Sequence, residues 1–479
     1  MTARGAGVPT RARLASFLRH RVARDDLARA LRDCGRATGV PVWLVGGYVR
    51  DAALGRGAND VDGASGPGTI RLVNRLASHW NRRAFRFRRR AITTWRFVVD
   101  GRRVDLVDAG RRGLEEDLFR RELTINAIAF DPLEARLVDP TGGLADLRGR
   151  RLRAPRAGTF LEDPVRALRV ARFMAELPGF RLHPAARDEA SRLAPRLRKA
   201  AVERTREELD KLLSAIDPRR GLQLLERMKL IDAVLPELAP LRGCRAGAGR
   251  PDVWRHTLDA IALAARPSRL PAAAAGRRPE TRRILCWALL LHDISKPETL
   301  ALAPDGRPTF HGHEVLGARR GEALLRRLRL PKKERQRICG LILNHLRPGH
   351  LADAGAPARG LRRLVREAGP ELPLLVLHAA CDARASGSPD AAARWRRLRR
   401  VLEDLLELGR AAVREPLPRL IGGRDLIRTL GLEPGPPIGR ILERIRERQE
   451  EGAIRTREQA LEFAAGLATR LRRAERDRP

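Results

Sequence analysis

After Pro155 the chain stops forming strands. Upstream, from Val42 to about Leu152, short β-like runs alternate with helical stretches: Val42 to Val45, Thr94 to Val99, Arg103 to Val107 and Ala127 to Phe130. From Glu162 onward apolar residues recur at three- and four-residue spacing almost to the end, the period of a helix face. The expected fold is therefore a mixed α/β head followed by an all-α remainder. Loops rich in Gly, Ala and Pro, Gly243 to Pro251 and Pro267 to Pro279, open a further helical unit that runs from about Val253 to Ala385. A break at Ser386-Gly387-Ser388-Pro389 follows, and Pro416 to Gly423 and Glu433 to Pro437 punctuate the last helices. These breaks divide the chain into a basic N-terminal extension (1–38), the head (39–153), a helical neck (154–245), a second helical unit (250–390) and a helical tail (395–479).

The balance of charge points to a polyanionic partner. Over 479 residues the net charge is +38, far beyond what solubility requires. Most basic residues are Arg within an Ala-, Gly- and Pro-rich background, so coding bias accounts for part of the excess. It does not account for the shortage of Asp and Glu. The cysteines Cys34, Cys244, Cys286, Cys339 and Cys381 are scattered and show no CxxC spacing, which argues against a disulfide framework or a zinc ribbon. No apolar run approaches the roughly 20 residues of a membrane span, and Met1 to Arg24 lacks a hydrophobic signal core. A cytoplasmic protein with a frayed basic start is expected.

Within the head, Leu44-Val45-Gly46-Gly47-Tyr48-Val49-Arg50-Asp51 ends a buried strand in two glycines, which let phosphate approach the backbone before a helix opens. Asn59-Asp60-Val61-Asp62 follows one short loop later. In an extended strand Asp60 and Asp62 share a side, and two hard oxygen ligands there suit Mg²⁺. A third carboxylate is expected at Asp105, with Asp108 as the competitor, because a one-residue slip between strands swaps faces. Such a set would hold metals, polarise a triphosphate held by Gly46, Gly47 and Arg50, and drive attack by a 3′-hydroxyl with loss of pyrophosphate.

This segment resembles motif A of the class II (eubacterial) CCA tRNA nucleotidyltransferase and poly(A) polymerase family. Further motifs resemble the same family in the same order. Asp117 to Ala127 is similar to its RRDFTINA motif, with Glu122 where aspartate is usual and Leu123 where phenylalanine is usual; the resemblance implies that Arg120, Arg121 and Asn126 bind nucleotide. Asp139-Pro140-Thr141-Gly142-Gly143-Leu144-Ala145-Asp146 looks like motif C, a turn joining head to neck. Asp163-Pro164-Val165-Arg166 could form a helix N-cap with a surface charge pair, or a carboxylate and a guanidinium that read a base edge. Resemblance to the EDxxR motif favours the second reading and implies that Asp163, Arg166, Arg169 and Arg172 select CTP and ATP. Ala201 to Leu213 looks like motif E and is expected to brace helices.

In the second helical unit, His256, His292-Asp293 and Asp382 give imidazoles and carboxylates on separate helices, a donor set for a divalent metal. The adjacent His-Asp resembles the HD superfamily of metal-dependent phosphohydrolases, with Ser295 at a usual glycine. His313 and His345 are candidates for a second metal or a phosphate grip. The tail resembles an RNA-binding segment. Together these resemblances imply a small mixed-sheet nucleotidyltransferase head, an all-α neck, an HD domain and a helical tail. They imply a Mg²⁺-dependent enzyme that adds or repairs the 3′-CCA end of tRNA from CTP and ATP. The HD domain would add phosphatase or 2′,3′-cyclic phosphodiesterase chemistry. A poly(A) polymerase, CC-adding or A-adding specialists, and an RNA-binding scaffold with only the HD site active remain the alternatives. The basic run Arg82 to Arg90, with Phe85 and Phe87 interleaved, either grips RNA or reflects the Arg bias.

Overall fold

The computed structural model describes residues 8–476 apart from 59, 90–91, 246, 248–250, 269, 388–390 and 415–416. Met1 to Gly7, Asn59, Arg90, Ser388, Pro389 and Pro416, all within stretches singled out above, lie outside the described residues, as do parts of the two Gly- and Pro-rich loops. The chain forms two compact units, Met1–Ala239 and Pro240–Pro479.

The first unit is built on a seven-stranded sheet. In chain order its strands are β1 (Val42–Val45), β2 (Val61–Ser65), β3 (Phe85–Arg89), β4 (Ile92–Val99), β5 (Arg102–Asp108), β6 (Ala129–Asp131) and β7 (Arg136–Val138). Across the sheet they lie in the order β3-β4-β5-β2-β1-β6-β7. Every neighbouring pair is antiparallel except β2 and β5, which run parallel with Asp62 opposite Asp105. Side chains alternate between faces, so Val61 and Gly63 on β2, Val104 and Leu106 on β5, and Phe97 on β4 point to one face, which helices cover. There Leu31 of α2 (Asp26–Thr38) comes within 3.7 Å of where a Gly63 Cβ would lie, and Trp80 of α4 (Thr69–Trp80) packs edge-on against Phe97 at 5.1 Å. Asp62 and Asp105 point to the other face.

Several expectations change. The basic start is not frayed from Arg11 on: α1 (Arg11–Arg24) buries Leu14, Leu18 and Val22, and α2 buries Leu27, Leu31 and Cys34. Their i, i+4, i+8 and i, i+4, i+7 stripes are a helix face pressed onto the head, and Asp25 between them accepts two hydrogen bonds from Arg102 at 3.0 Å. The charged run Asp117 to Ala127, whose sequence suggests one short helix-like stretch, is not one helix: the helix Gly113–Phe119 stops there, and a single tight turn, Thr124–Asn126, leads into β6. Strands also persist beyond Pro155, as a two-residue parallel pair (Arg151–Leu152 with Arg181–Leu182) and a two-residue hairpin (Ala301–Leu302 with Pro308–Thr309).

After the sheet the first unit is helical. Val165–Glu176 packs against Val202–Ser214 and Pro218–Arg227, so closely that a Cβ on Gly221 would lie 2.8 Å from the Ala171 carbonyl oxygen. The second unit packs Val253–Ala265, Pro279–Leu291, Lys332–Asn344 and Leu372–Ala385 around Ile284 to Leu291 and Leu374 to Cys381, and ends in a small core of its own. That core gathers Leu426, Ile438, Ile441, Ile445, Ala460 and Ala464, while Arg359 to Glu447 (2.5 Å) and Arg366 to Glu450 (2.8 Å) tie it to the preceding helices. Among the described residues no helix is long and apolar enough to cross a membrane.

Candidate active site and candidate metal centre

β1 runs into Gly46, whose φ of 65° lies in the left-handed region that favours glycine. A Cβ at Gly46 would sit 3.0 Å from both Asp62 Oδ2 and Arg121 Nη1, so the missing side chain lets the carboxylate and the guanidinium close on the turn. Gly47 begins α3 (Gly47–Ala53) and its amide donates to Asp62 Oδ2 at 3.3 Å.

The parallel register decides which carboxylates meet. Asp62 pairs with Asp105, whereas Asp108 pairs with Ser65, three residues along, and accepts from Thr69 Oγ1 at 2.8 Å. Burial raises the Asp62 pKa; Arg121 opposes that rise and Asp105, a like charge on the next strand, adds to it. Two carboxylates held together in this way are a fitting cradle for a divalent cation. Asp60 sits just ahead of β2 and takes the Arg103 amide at 3.1 Å and its Nε at 3.0 Å. Asp105 takes a two-pronged grip from Arg96, at 2.7 and 2.8 Å.

Beside the glycines a chain of polar contacts leads into the neck. Arg50 donates to Asn126 Oδ1 at 2.8 Å and lies over Phe173 at 5.1 Å; the Asn126 amide donates to Glu122 Oε1 at 2.9 Å. Glu122 is 3.9 Å from Arg169, which with Arg172 converges on Glu208 at 2.9 and 3.3 Å. Burial opposes ionisation of Glu122, but Arg169, its backbone, Asn126 and Arg121 outweigh it and hold the carboxyl at about 2. Arg121 is fixed by Asp117 at 3.0 Å. Arg120 lies outside this chain of contacts and lines a hollow with Thr93, Asp108 and Asp117.

Asp163 and Arg166 engage different partners. The Asp163 carboxylate accepts from Arg204 Nη1 at 3.0 Å and Nη2 at 2.6 Å. Arg166 donates to the Thr159 carbonyl at 2.8 Å and to Glu162 at 3.3 Å. Arg204 and Glu208 brace the neck as expected for the Ala201 to Leu213 segment, but their partners, Arg96 and the central place of Glu122 were not read from the sequence. Glu208, 3 % exposed, was legible only as one more charge in a charged helix.

In the second unit five helices deliver a buried cluster. His256 comes from Val253–Ala265, His292 closes Pro279–Leu291, His313 opens His313–Arg327, His345 closes Lys332–Asn344, and Asp382 lies on Leu372–Ala385. Two triplets result, His256-His292-Asp382 and Asp293-His313-His345, each with its ligand atoms within 4.8 Å of one another. Asp293 serves both: Oδ2 is 3.1 Å from His292 Nε2 and Oδ1 is 3.4 Å from His313 Nε2. His256 Nε2 is 2.9 Å from Asp382 Oδ1. Burial disfavours charge on His292, but Asp293 and Asp382 push it up to about 10, while burial and His292 push His345 down to about 3.

Two further residues join this cluster that the sequence did not single out as site groups. Lys296 Nζ sits 2.7 Å from Asp293 Oδ2, and His378, fully buried one turn before Asp382, lies against His292 and His345 at 5.4 and 5.7 Å between ring centres. Asp293 Oδ1 and both His378 ring nitrogens lack a hydrogen-bond partner. Imidazoles, carboxylates and buried polar atoms awaiting a partner fit a divalent transition metal.

Comparison with known proteins places these geometries in context. Residues 42–153 match the model of the poly A polymerase head domain, 179–241 that of the probable RNA and SrmB-binding site of polymerase A, and 253–383 that of the HD domain. The chain is 36 % identical over 432 residues to an A-adding tRNA nucleotidyltransferase of Deinococcus radiodurans, covering 88 % of this chain and 94 % of that protein. It is 33 % identical to a CC-adding tRNA nucleotidyltransferase of Thermus thermophilus, covering 88 % and 92 %. The Bacillus stearothermophilus CCA-adding enzyme, solved in complex with CTP, superposes with a TM-score of 0.62 at 27 % identity over 94 % of this chain and 98 % of its own.

Proposed function

Because the chain belongs to the class II CCA tRNA nucleotidyltransferase and poly(A) polymerase family, as a tRNA nucleotidyltransferase carrying an HD domain, we propose that it adds or repairs the 3′-terminal CCA of tRNA from CTP and ATP. The observation that carries this reading is the row formed by Asp62 and Asp105 on neighbouring strands, beside the open Gly46-Gly47 turn.

The incoming triphosphate lies along Gly46, Gly47 and Arg50, with Arg121 and Asn126 behind them. Asp60 and Asp62 would hold Mg²⁺, with Asp105 on the next strand completing the cradle; such an ion would supply positive charge against the triphosphate and favour ionisation of the attacking hydroxyl. Asp105 faces that hydroxyl and takes its proton, and the hydroxyl oxygen bonds to the α-phosphorus as the bond to pyrophosphate breaks. Asp163 and Arg166 read the base, with the Asp163 carboxylate oriented by the two-pronged Arg204 grip. Arg169 and Arg172 hold the neck face in place through Glu122 and Glu208.

In the second unit His256, His292, Asp293 and Asp382 would hold one divalent ion, with His313 and His345 available for a second ion or a phosphate oxygen. The chemistry such an ion supplies is activation of water against a phosphoester, which suits phosphatase or 2′,3′-cyclic phosphodiesterase work.

A second reading draws on two particular relatives, covered over 94 % and 92 % of their length, which are an A-adding and a CC-adding tRNA nucleotidyltransferase. Incubating the pure chain with tRNA lacking CCA, lacking CA and lacking A, with each labelled nucleoside triphosphate, separates the readings. Addition of CMP, CMP and AMP in turn supports the complete enzyme. Addition of AMP alone to the CC-ending RNA, or of CMP alone, supports a specialist, and no incorporation overturns both.

A further inference from the structure

The carboxylates divide the open face of the sheet in two. On the β1 side lie the glycine turn, Arg50 and Asn126. Beyond Asp105 on β5 the sheet continues through β4 and the edge strand β3, and nothing in the proposed function uses those two strands. The registers define what stands there: Asp62 opposite Asp105, Asp105 opposite Arg96, Arg96 opposite Phe85, one row across four strands. The next row places Phe87 opposite Thr94. Paired residues on adjacent strands share a face, so both rings rise on the carboxylate side.

Those rings are not core. Phe85 is 59 % exposed and Phe87 50 %, with Val98 beside them at 43 %, whereas the opposite face of β4 is sealed by Phe97 against Trp80. Arg96 connects platform and site, lying over Phe87 at 5.3 Å while gripping Asp105. Arg82, Arg83, Arg86 and Arg88 are exposed along the same edge. The rings offer π-faces to bases on the carboxylate side, while Arg86 and Arg88, which alternate with them and rise from the other face, put positive charge along the rim of this edge strand for a phosphate backbone.

We propose that this outer half of the sheet is the landing platform for the single-stranded 3′ end of the RNA substrate, with the terminal bases stacking on Phe85 and Phe87 and the backbone passing over the arginine edge. The proposal rests on the nucleotidyl-transfer reading and adds where the acceptor strand lies. Three strand spacings separate Phe85 from Asp62, roughly 14 Å, about four base steps at roughly 3.4 Å each. The platform therefore holds the last few nucleotides while the terminal hydroxyl reaches Asp105. A second copy of this chain, the other occupant an open edge invites, would bring like charges together along Arg86 and Arg88.

The test uses the full chain with Phe85→Ala, Phe87→Ala, the double variant and Phe85→Tyr/Phe87→Tyr. Steady-state kinetics with truncated tRNA should show the KM for RNA rising about tenfold per ring removed, the KM for the nucleoside triphosphate unmoved, and both tyrosines restoring the native value. Anisotropy with the same fluorescently labelled tRNA should show the matching loss of affinity without any turnover. An RNA KM within twofold of native in the double variant overturns the proposal. So does a joint rise in both KM values that tyrosine fails to restore, or a loss of self-association with RNA affinity intact. Failure of the native chain to incorporate any nucleotide strikes the underlying reading instead; the anisotropy series then still decides the platform.

Discussion

Glu122 offers a quantitative test of how the site is held. Its carboxyl is displaced from an ordinary 4.5 to about 2 against the opposing effect of burial. A shift of roughly 2.5 units at about 1.4 kcal/mol each amounts to about 3 kcal/mol favouring the folded state. The side chain is 15 % exposed, so solvent screening brings the expectation to about 2 kcal/mol. Because the folded pKa is depressed, this stability is fully present above 4.5 and is lost as the pH falls towards 2. By about pH 3 less than half of it should remain. Glu122→Gln keeps a partner for the Asn126 amide but removes the charge facing Arg169. Urea unfolding of the variant against the native chain at pH 7 should show a loss of about 2 kcal/mol, shrinking in parallel with the linkage curve as the pH is lowered to 3. A loss below about 0.5 kcal/mol at pH 7, or one of constant size across that range, would refute the assignment of stability to this charge.

Three other perturbations have defined outcomes. Asp105→Asn should lower nucleotide incorporation by about a hundredfold to a thousandfold while Asp108→Asn stays within tenfold of native, measured as kcat on truncated tRNA; equal losses would contradict the register argument. Gly143→Ala places a Cβ 2.1 Å from the Thr124 carbonyl oxygen and 2.7 Å from Ile128, so thermal denaturation should reveal destabilisation of about 3 kcal/mol or more. His292→Ala should abolish hydrolysis of a 2′,3′-cyclic phosphate while CMP and AMP incorporation persists, and loss of both activities in one folded variant would show that the two units depend on each other.

What the sequence made legible follows from the range over which each signal acts. The β1 run, the Gly46-Gly47 turn and the His292-Asp293 pair are local patterns, and local patterns survive in a one-dimensional reading. The partners of those groups are not local. Arg204 reaches Asp163 across 41 residues and Glu208 meets Arg169 across 39, which no spacing rule connects. The choice of Asp105 over Asp108 depended on one register between strands. His378 hides in an apolar helix as an isolated imidazole, with nothing beside it to mark it. The stripe Leu14, Leu18, Val22 could have been read, but an arginine-rich background obscured a helix that the head needs. Phe85-Arg86-Phe87-Arg88 also showed strict alternation, the mark of a strand; its charge drew attention away from its period.

The lone parallel pairing in the sheet has a further consequence. Two parallel neighbours cannot be joined by a tight hairpin, so the chain leaving β2 must travel through α4, β3 and β4 before it returns as β5. Residues 66–101 are thus an excursion that departs and re-enters beside the same two carboxylates, whose spacing is set by backbone pairing and not by the length of the route between them. The reacting centre therefore keeps its dimensions by strand pairing alone, however far the chain between those two strands travels.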